Sequence, residues 1–577
     1  MVLRSKWLIN KEEVVAKNGV VTTAISEAAE AGLKMLKRGG NAIDAGVAAG
    51  FCNTVLEPYM AALGGLGFML IYLAEEDKTV AIDFNARAPQ KATPDMYKVI
   101  GPAAAGGTRI FEVENSENSM SAKAISVPTT CAGFCLAHEL YGKLPREDVI
   151  APAIHLAAEG FEASWDAALY LARIMSEVRR NPAIDDIWYP GGYPLVSGMR
   201  VVQPDFGRLL KRIAREGSDA VYRGEVAAAI ERAVQKEGGI LTREDLERYE
   251  PTVSEPLTVS YRDYTIAAVP TPSGGITALE TFNILENFDL ETMGHNTAEY
   301  IHTFVECTRH AFADRFRFLG DWEHANVPLE GLLSKGYAKE CADLVDPEKA
   351  AMEPELSQEP WIHYLDRAIH DPWKYDPQSR PKTLPGPGTA SSEEGTTHFN
   401  VVDKERNVVS CTHTPGFRTG IVPPGTGFYL TPGMGWFIPK PGYANSVAGW
   451  KRPVLNMAPL MVLRDGVPVV SQGSPGARRI INRNTQVVLN VIEFGLGIQD
   501  AIAAPIVDAS GRETLVDSRL PSDVVDELRG MGHRVKVVEE GPGVWHFARP
   551  SGIVIDHEEG LLHGGVDIFR PAVAMGY

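Results

Sequence analysis

The sequence predicts a layered α/β sandwich. Helix-periodic apolar segments fill much of the chain before residue 345. Strand-like pairs occur on both sides of a polar stretch near 350–395, and helices accompany the strands in both halves. Sheets with one apolar face and helices with one apolar stripe bury both by stacking in layers.

The first helix is expected around Ala24, Ala28, Leu33 and Leu36. Lys34, Lys37 and Arg38 suit its negative end, and Gly39-Gly40 stops it. Asn41 leads a second helix, Ala42 to about Leu56, apolar on most faces and therefore expected to be buried. Phe68 to Leu73 and Thr79 to Phe84, joined by a polar turn, read as a hairpin. Gly64, Gly65 and Gly67 before it permit close backbone approach but lack the context of a nucleotide-binding loop. Four segments from "REDVIAPAIHLAAEGF" to "TAEYIHTFVECTRHAFADRFRFLG" show apolar residues three and four apart, and Thr242 caps "LTREDLERY". "PLTVSYRDYTIAAVPTPSGG" adds a strand pair. The Pro-rich 350–395 stretch cannot form a core element and reads as an exposed linker. Beyond Gly395 come "THFNVVD", "NVVSCTHT" and "APLMVLRDGVPVVSQGSPG" as strands. "NTQVVLNVIEFGLGIQDAIAAP" follows as one helix, then short strands to the end.

Bulk properties narrow the function. The 577 residues are 44% hydrophobic and 23% charged, the composition of a globular chain of two domains or one large unit. A net charge of -18 disfavours nucleic acid or an anionic membrane as partner. Cys52, Cys131, Cys135, Cys307, Cys341 and Cys411 form no CxxC pair and sit mostly in apolar runs, so reduced core thiols are expected. Charges at Lys11, Glu12 and Glu13 interrupt the N-terminus, and no run approaches the roughly 18 apolar residues of a membrane span. A cytoplasmic protein is expected.

"EEGTTHFNVVD" raises the chemical question. Thr396, Thr397, Phe399, Val401 and Val402 suit a strand by propensity alone. The sharper reading makes Thr396 a nucleophile that becomes an N-terminus. A free α-amine, with an ordinary pKa near 8, then lies beside its hydroxyl and can take the hydroxyl proton.

Nine stretches carry a resemblance. They are "RGGNAIDAGVAAG", "EPYMAALGGLGFMLIYL", "VPTTCAGFCLAHELYGKLP", "HAFADRFRFLGD", "VPLEGLLS", "TTHFNVVD", "KRPVLNMAPLMV", "QGSPGARRIIN" and "GGVDIFRPAVAMGY". Together, and in this order, they resemble the γ-glutamyltransferase family of N-terminal-nucleophile hydrolases. The resemblance implies a four-layer αββα sandwich and a precursor that cuts itself between Gly395 and Thr396. The products would be a large subunit, 1–395, and a small one, 396–577, held together through shared sheets. A self-cutting bond is expected in a flexible, exposed segment. The resemblance also implies that Thr414 hydrogen-bonds the nucleophile. Gly476 and Ala477 would supply the oxyanion hole, where the family usually has Gly-Gly; the alanine is harmless unless the backbone needs positive φ there.

The recognition residues depart from the family pattern. Asn85 stands where the family's carboxylate-gripping arginine aligns, with Arg87 two residues on. Trp436 or Gly435 replaces the amine-holding aspartate, and Leu455 and Asn456 replace a pair of serines. The "TPGFRTGIV" segment is about two residues short, so a substrate-contacting asparagine becomes Gly416 or is lost. These exchanges suggest a partly apolar pocket lined by Trp436, Leu455 and Phe417. Arg87, Arg418 and Arg478 are candidates for gripping a carboxylate at a different distance. Three functions follow: an autoprocessing amide hydrolase acting on a small non-γ-glutamyl amide, a γ-glutamyl transferase with unusual recognition, and a non-catalytic binding homologue. No cofactor is needed for this chemistry, and an oligomer of the two-subunit unit stays open. Metal catalysis is disfavoured: His363 and His370 lack an acidic partner at zincin spacing, and His398 and His413 fall on separate strands. No GxSxG elbow appears.

Overall fold

The computed structural model describes residues 9–102, 111–351, 370–376 and 395–577. The reading of the N-terminus therefore falls partly outside the described residues, and so does most of the 350–395 stretch, His363 included.

Two seven-stranded sheets form the centre. In chain order their strands are β1 (Val14–Ala16), β2 (Val20–Thr23), β3 (Leu66–Leu73), β4 (Lys78–Phe84), β5 (Thr252–Ser254), β6 (Leu257–Tyr261) and β7 (Tyr264–Ala268). Beyond Gly395 come β8 (Thr397–Val402), β9 (Val408–Thr414), β10 (Leu460–Arg464), β11 (Val467–Gly473), β12 (Ser551–Asp556), β13 (Leu561–Val566) and β14 (Val573–Gly576). Sheet I runs β14-β2-β8-β9-β3-β4-β5 and sheet II runs β1-β13-β12-β11-β10-β7-β6. Every pairing within them is antiparallel. Both sheets draw strands from either side of the 395–396 bond.

Alternation along a strand sends successive side chains to opposite faces, and β3 shows where each goes. Met69, Ile71 and Leu73 join the core beneath the helices, while Phe68, Leu70 and Tyr72 join the core facing sheet II. The helices over sheet I are α1 (Ser26–Lys37), α2 (Ala42–Leu56) and α3 (Thr130–Tyr141). Asn41 caps α2 in a reciprocal box with Asp44, and every residue of α2 is buried, as its all-round apolarity requires. Over sheet II lie α4 (Gly274–Leu285), α5 (Ala298–Phe318), α6 (Lys335–Ala342) and α7 (Arg479–Ile492). Apolar layers between helices and sheet I, between the sheets, and between sheet II and helices make the αββα sandwich.

All six cysteines are free and buried, as expected. Among the described residues no helix is long and apolar enough to cross a membrane. Three readings need correction. The single helix after "GSPGA" is two, α7 and α8 (Ile498–Ala503), broken where Gly495 takes positive φ. Residues 370–376 are not exposed linker: His370 and Asp376 are buried, and a 3₁₀ turn spans Pro372–Tyr375. Nor is the bond before Thr396 exposed: Gly395 and Thr396 are both buried, because β8 lies inside sheet I.

Candidate active site

Thr396 precedes the first residue of β8. The register pairs Thr397 with His413, and one step further sets Thr396 opposite Thr414. Their hydroxyl oxygens lie 2.8 Å apart. Thr414 also donates its hydroxyl proton to the Gly395 carbonyl. A threonine has one O–H. That proton is spent on Gly395, so Thr396 must be the donor between the two hydroxyls. One side chain thus accepts the Thr396 proton and polarises the carbonyl that precedes Thr396.

Gly395 is required here. Its φ is +123°, and a Cβ would stand 3.1 Å from both the Met60 carbonyl oxygen and the Gly416 nitrogen. Gly416 is tighter still: a Cβ would lie 1.7 Å from the Tyr59 carbonyl oxygen. The "EPYM" turn after α2 therefore walls the Gly395–Thr396 bond.

Even-numbered β8 side chains face sheet II. The Asn400 Oδ1 accepts from Ser471 at 2.7 Å, and the His398 ring packs where a Gly473 side chain would be. As β8 runs from 400 back to 396, β11 runs from 471 out to its end. Thr396 therefore points at the turn after β11, which holds Gly476 and Ala477. That turn is anchored by Arg549 N–H on the Pro475 carbonyl at 2.9 Å, and Gly476 packs against Ala548. Neither the Gly476 nor the Ala477 N–H donates to an acceptor among the described residues.

Ala477 has φ +57°, the condition under which its Cβ matters. An L-residue in this left-handed region costs about 1–2 kcal/mol, and glycine's extra unfolded-state freedom costs about 0.5–1 kcal/mol. Ala477→Gly is therefore expected to stabilise the protein by up to about 1 kcal/mol, read as a raised thermal midpoint. A lowered midpoint would show that the methyl packs more than it strains.

His398 is not available as a base. Its Nε2 faces Asn400 Oδ1 at 3.1 Å and its Nδ1 faces Thr412 Oγ1 at 2.8 Å. Burial pushes it down to about 3, against the Asn400 bond and a backbone hydrogen bond at Cys411. Burial, with His398 nearby, likewise pushes His413 down to about 3. Both rings are neutral at ordinary pH.

The recognition candidates separate. Asn85 is buried; its amide donates to the Pro453 carbonyl at 3.1 Å and to Thr271 at 3.4 Å. Leu455 and Asn456 are held from behind by Arg315 of α5, whose Nη2 reaches the Leu455 carbonyl at 2.7 Å and Asn456 Oδ1 at 2.9 Å. Trp436 and Leu455 share the core between the sheets. Phe417 does not join them: it packs with Tyr59, Trp188 and Tyr429 in the core beneath the sheet I helices. The expected three-residue apolar lining is thus divided, because the chain turns toward the helix layer after β9. Arg87 is committed to Glu323 at 2.7 Å and the Trp450 carbonyl at 3.1 Å, and Arg418 to Glu177 at 3.0 Å. Arg478 is buried beside Arg315, and burial with this second guanidinium pushes Arg315 down to about 9.

Three features escaped sequence reasoning. Arg315 sits inside the quoted "HAFADRFRFLGD", yet no spacing rule ties it to Asn456. Arg570 pairs with Glu57 at 3.0 Å and Asp166 at 3.1 Å, joining the chain's last motif to the "EPYM" turn. Arg452 bridges Asp83 at 3.0 Å and Asp321 at 2.7 Å.

A family profile described as Gamma-glutamyltranspeptidase matches residues 28–577. The chain belongs to the γ-glutamyltranspeptidase family. It is similar to the "Glutathione hydrolase proenzyme" of Bacillus subtilis (strain 168), 35% identical over 98% of this chain and 92% of the relative. It is also similar to the "Acylase ACY 1 proenzyme" of Pseudomonas sp. (strain V22), 34% identical over 91% of this chain and 88% of that one. Among solved structures, cephalosporin acylase from Bacillus halodurans superposes with a TM-score of 0.83 at 27% identity, covering 100% of this chain and 99% of its own. The protein is an N-terminal-nucleophile enzyme of the amide-hydrolase type, and this family contains both glutathione hydrolases and acylases.

Proposed function

We propose that the chain cuts itself between Gly395 and Thr396, and that the freed Thr396 then hydrolyses a small amide other than a typical γ-glutamyl compound. The observation that carries the cutting step is the Thr414 bridge between the Thr396 hydroxyl and the Gly395 carbonyl. In that step the Thr396 oxygen attacks the Gly395 carbonyl carbon, its proton passing toward Thr414. The C–N bond breaks, the Thr396 nitrogen takes a proton, and an ester joins Gly395 to the Thr396 side chain. Water hydrolyses the ester, leaving a Gly395 carboxylate and a Thr396 amine.

In turnover the amine accepts the hydroxyl proton as the oxygen attacks the substrate carbonyl. The Gly476 and Ala477 N–H groups face the developing oxyanion. The proton returns to the leaving amine, and water releases the acid from the Thr396 ester.

The substrate reading rests on the recognition positions. Asn85, Trp436, Leu455 and Asn456 offer no ionised group, and each is buried against protein. The ammonium of an amino acid brought there would be desolvated without a carboxylate from these four residues, which costs several kcal/mol. The acylase relatives support this; the glutathione hydrolase relatives support the second reading, γ-glutamyl transfer. A panel of N-acyl amides set against glutathione and a γ-glutamyl anilide separates them. Amide turnover with glutathione at least about a hundredfold poorer in kcat/KM, roughly 2.7 kcal/mol, is expected. Efficient glutathione turnover would establish the second reading.

A further inference from the structure

The outer helix layer over sheet II holds a group of side chains that the amide chemistry does not use. His310 on α5, Cys341 on α6 and His370 converge there. All three are buried, and their ligand-type atoms lie within 4.8 Å of one another. They come from three separate stretches, and His370 belongs to the 370–376 segment that packs against α6 and the turn before it.

The surroundings suit a cation. His370 Nδ1 donates to Asp314 Oδ1 at 2.7 Å, and Asp314 Oδ2 accepts the Tyr337 hydroxyl at 2.5 Å. A carboxylate that fixes one nitrogen of a histidine leaves the other free to carry a lone pair, the usual arrangement behind a metal-bound imidazole. That other nitrogen, Nε2, faces His310 Nδ1 at 2.8 Å. Glu280 of α4 lies beside Asp314, is 1% exposed, and its Oε1 has no hydrogen-bond partner among the described residues. Burial raises Glu280, and so do the Asp314 carboxyl beside it and the hydrogen bond the two carboxyls share. Two buried carboxyls in contact cannot both ionise unless a cation lies near them.

We propose that His310, Cys341 and His370 bind one zinc-like divalent transition ion, backed by the Asp314 and Glu280 carboxyls. Two imidazoles and a thiolate select such an ion over magnesium or calcium, which take oxygen ligands. Binding sends the Cys341 proton to solvent and places the His310 proton on Nε2, so that Nδ1 can coordinate. The two ring nitrogens separate by about 0.5 Å, since zinc–nitrogen bonds of about 2.0–2.1 Å at tetrahedral angles set them about 3.3 Å apart. The ion is structural. It ties residues 370–376 to α5 and α6, in a different layer from Thr396.

The test measures metal in protein purified from zinc-supplemented medium, then titrates zinc, cobalt and magnesium into chelator-treated protein. About one zinc per chain is expected, unaffected by magnesium. Cobalt should give a thiolate-to-metal charge-transfer band that Cys341→Ser abolishes and Cys52→Ser keeps. Asp314→Asn should weaken binding about ten- to hundredfold. Should the variants fail to fold, the wild-type cobalt spectrum still decides: the thiolate band supports the site and a spectrum without it overturns it. Stoichiometry below about a tenth of an equivalent after titration also overturns it, as does unchanged metal content in folded Cys341→Ser and His370→Ala.

Discussion

Thr396→Ala is expected to yield a single uncut chain with no amide turnover, a loss of roughly 10⁴-fold or more in kcat. Thr396→Ser keeps an oxygen in the same place and should still split, more slowly. Thr414→Ala retains the nucleophile but removes both the acceptor of its proton and the donor to the Gly395 carbonyl. It should slow splitting about 10²–10³-fold, the loss typical of one oxyanion donor. Intact mass over time reads all three. For the processed enzyme the base is an amine with an ordinary pKa near 8. A protonated amine cannot accept the hydroxyl proton, so the rate should fall as pH drops through the amine's pKa. His398 and His413, held down to about 3, should add no step in the neutral range. A Thr396→Ala chain that still divides would remove Thr396 as the nucleophile, and a limb that disappears when His398 is replaced would remove the amine as the base.

Local signals were legible where the physics is local. Asn41 before an apolar run is a cap, and the structure shows the reciprocal box with Asp44. The β3–β4 hairpin and the β8–β9 pair follow from alternation and their polar turns. The break between α7 and α8 was missed because the apolar period survives across Gly495 and Gly497 while the backbone turns. Composition misled at 370–376: a Pro-rich polar stretch looks like linker, yet His370 is buried because Asp314, 56 residues earlier, accepts from it. The site divides in the same way. The Thr396–Thr414 pair followed from family resemblance, and register explains it. The positive φ of Ala477 and the commitment of Arg87 to Glu323 depend on neighbours that no spacing rule connects.

Arg452→Met is expected to destabilise the protein by about 3–5 kcal/mol, because it strands buried carboxylates. Asp321 accepts from the Arg452 Nη2 at 2.7 Å, its Nε at 3.1 Å and its backbone N–H at 2.8 Å, while Asp83 takes Nη1 at 3.0 Å. Burial alone would raise the Asp321 carboxyl, yet these bonds to Arg452 hold it below its usual value. Burial does raise Asp83, against the pull of the same guanidinium. Glu323 is the control. It touches Arg452 at 3.2 Å and accepts from Arg87 at 2.7 Å, but its side chain is 48% exposed, so water replaces much of what Glu323→Gln removes. That variant should cost no more than about 1 kcal/mol. The two thermal midpoints, measured together, check the difference; equal shifts would mean that burial does not govern this network. Asp83→Asn added to Arg452→Met should recover part of the loss, since it removes one of the stranded charges. Activity is coupled to the same arginine. Arg452 opens the Pro453–Asn456 segment, and the Pro453 carbonyl accepts from Asn85. Releasing it should raise KM more than it lowers kcat, because Asn85, Leu455 and Asn456 would shift while Thr396, Thr414 and the turn after β11 stay in place.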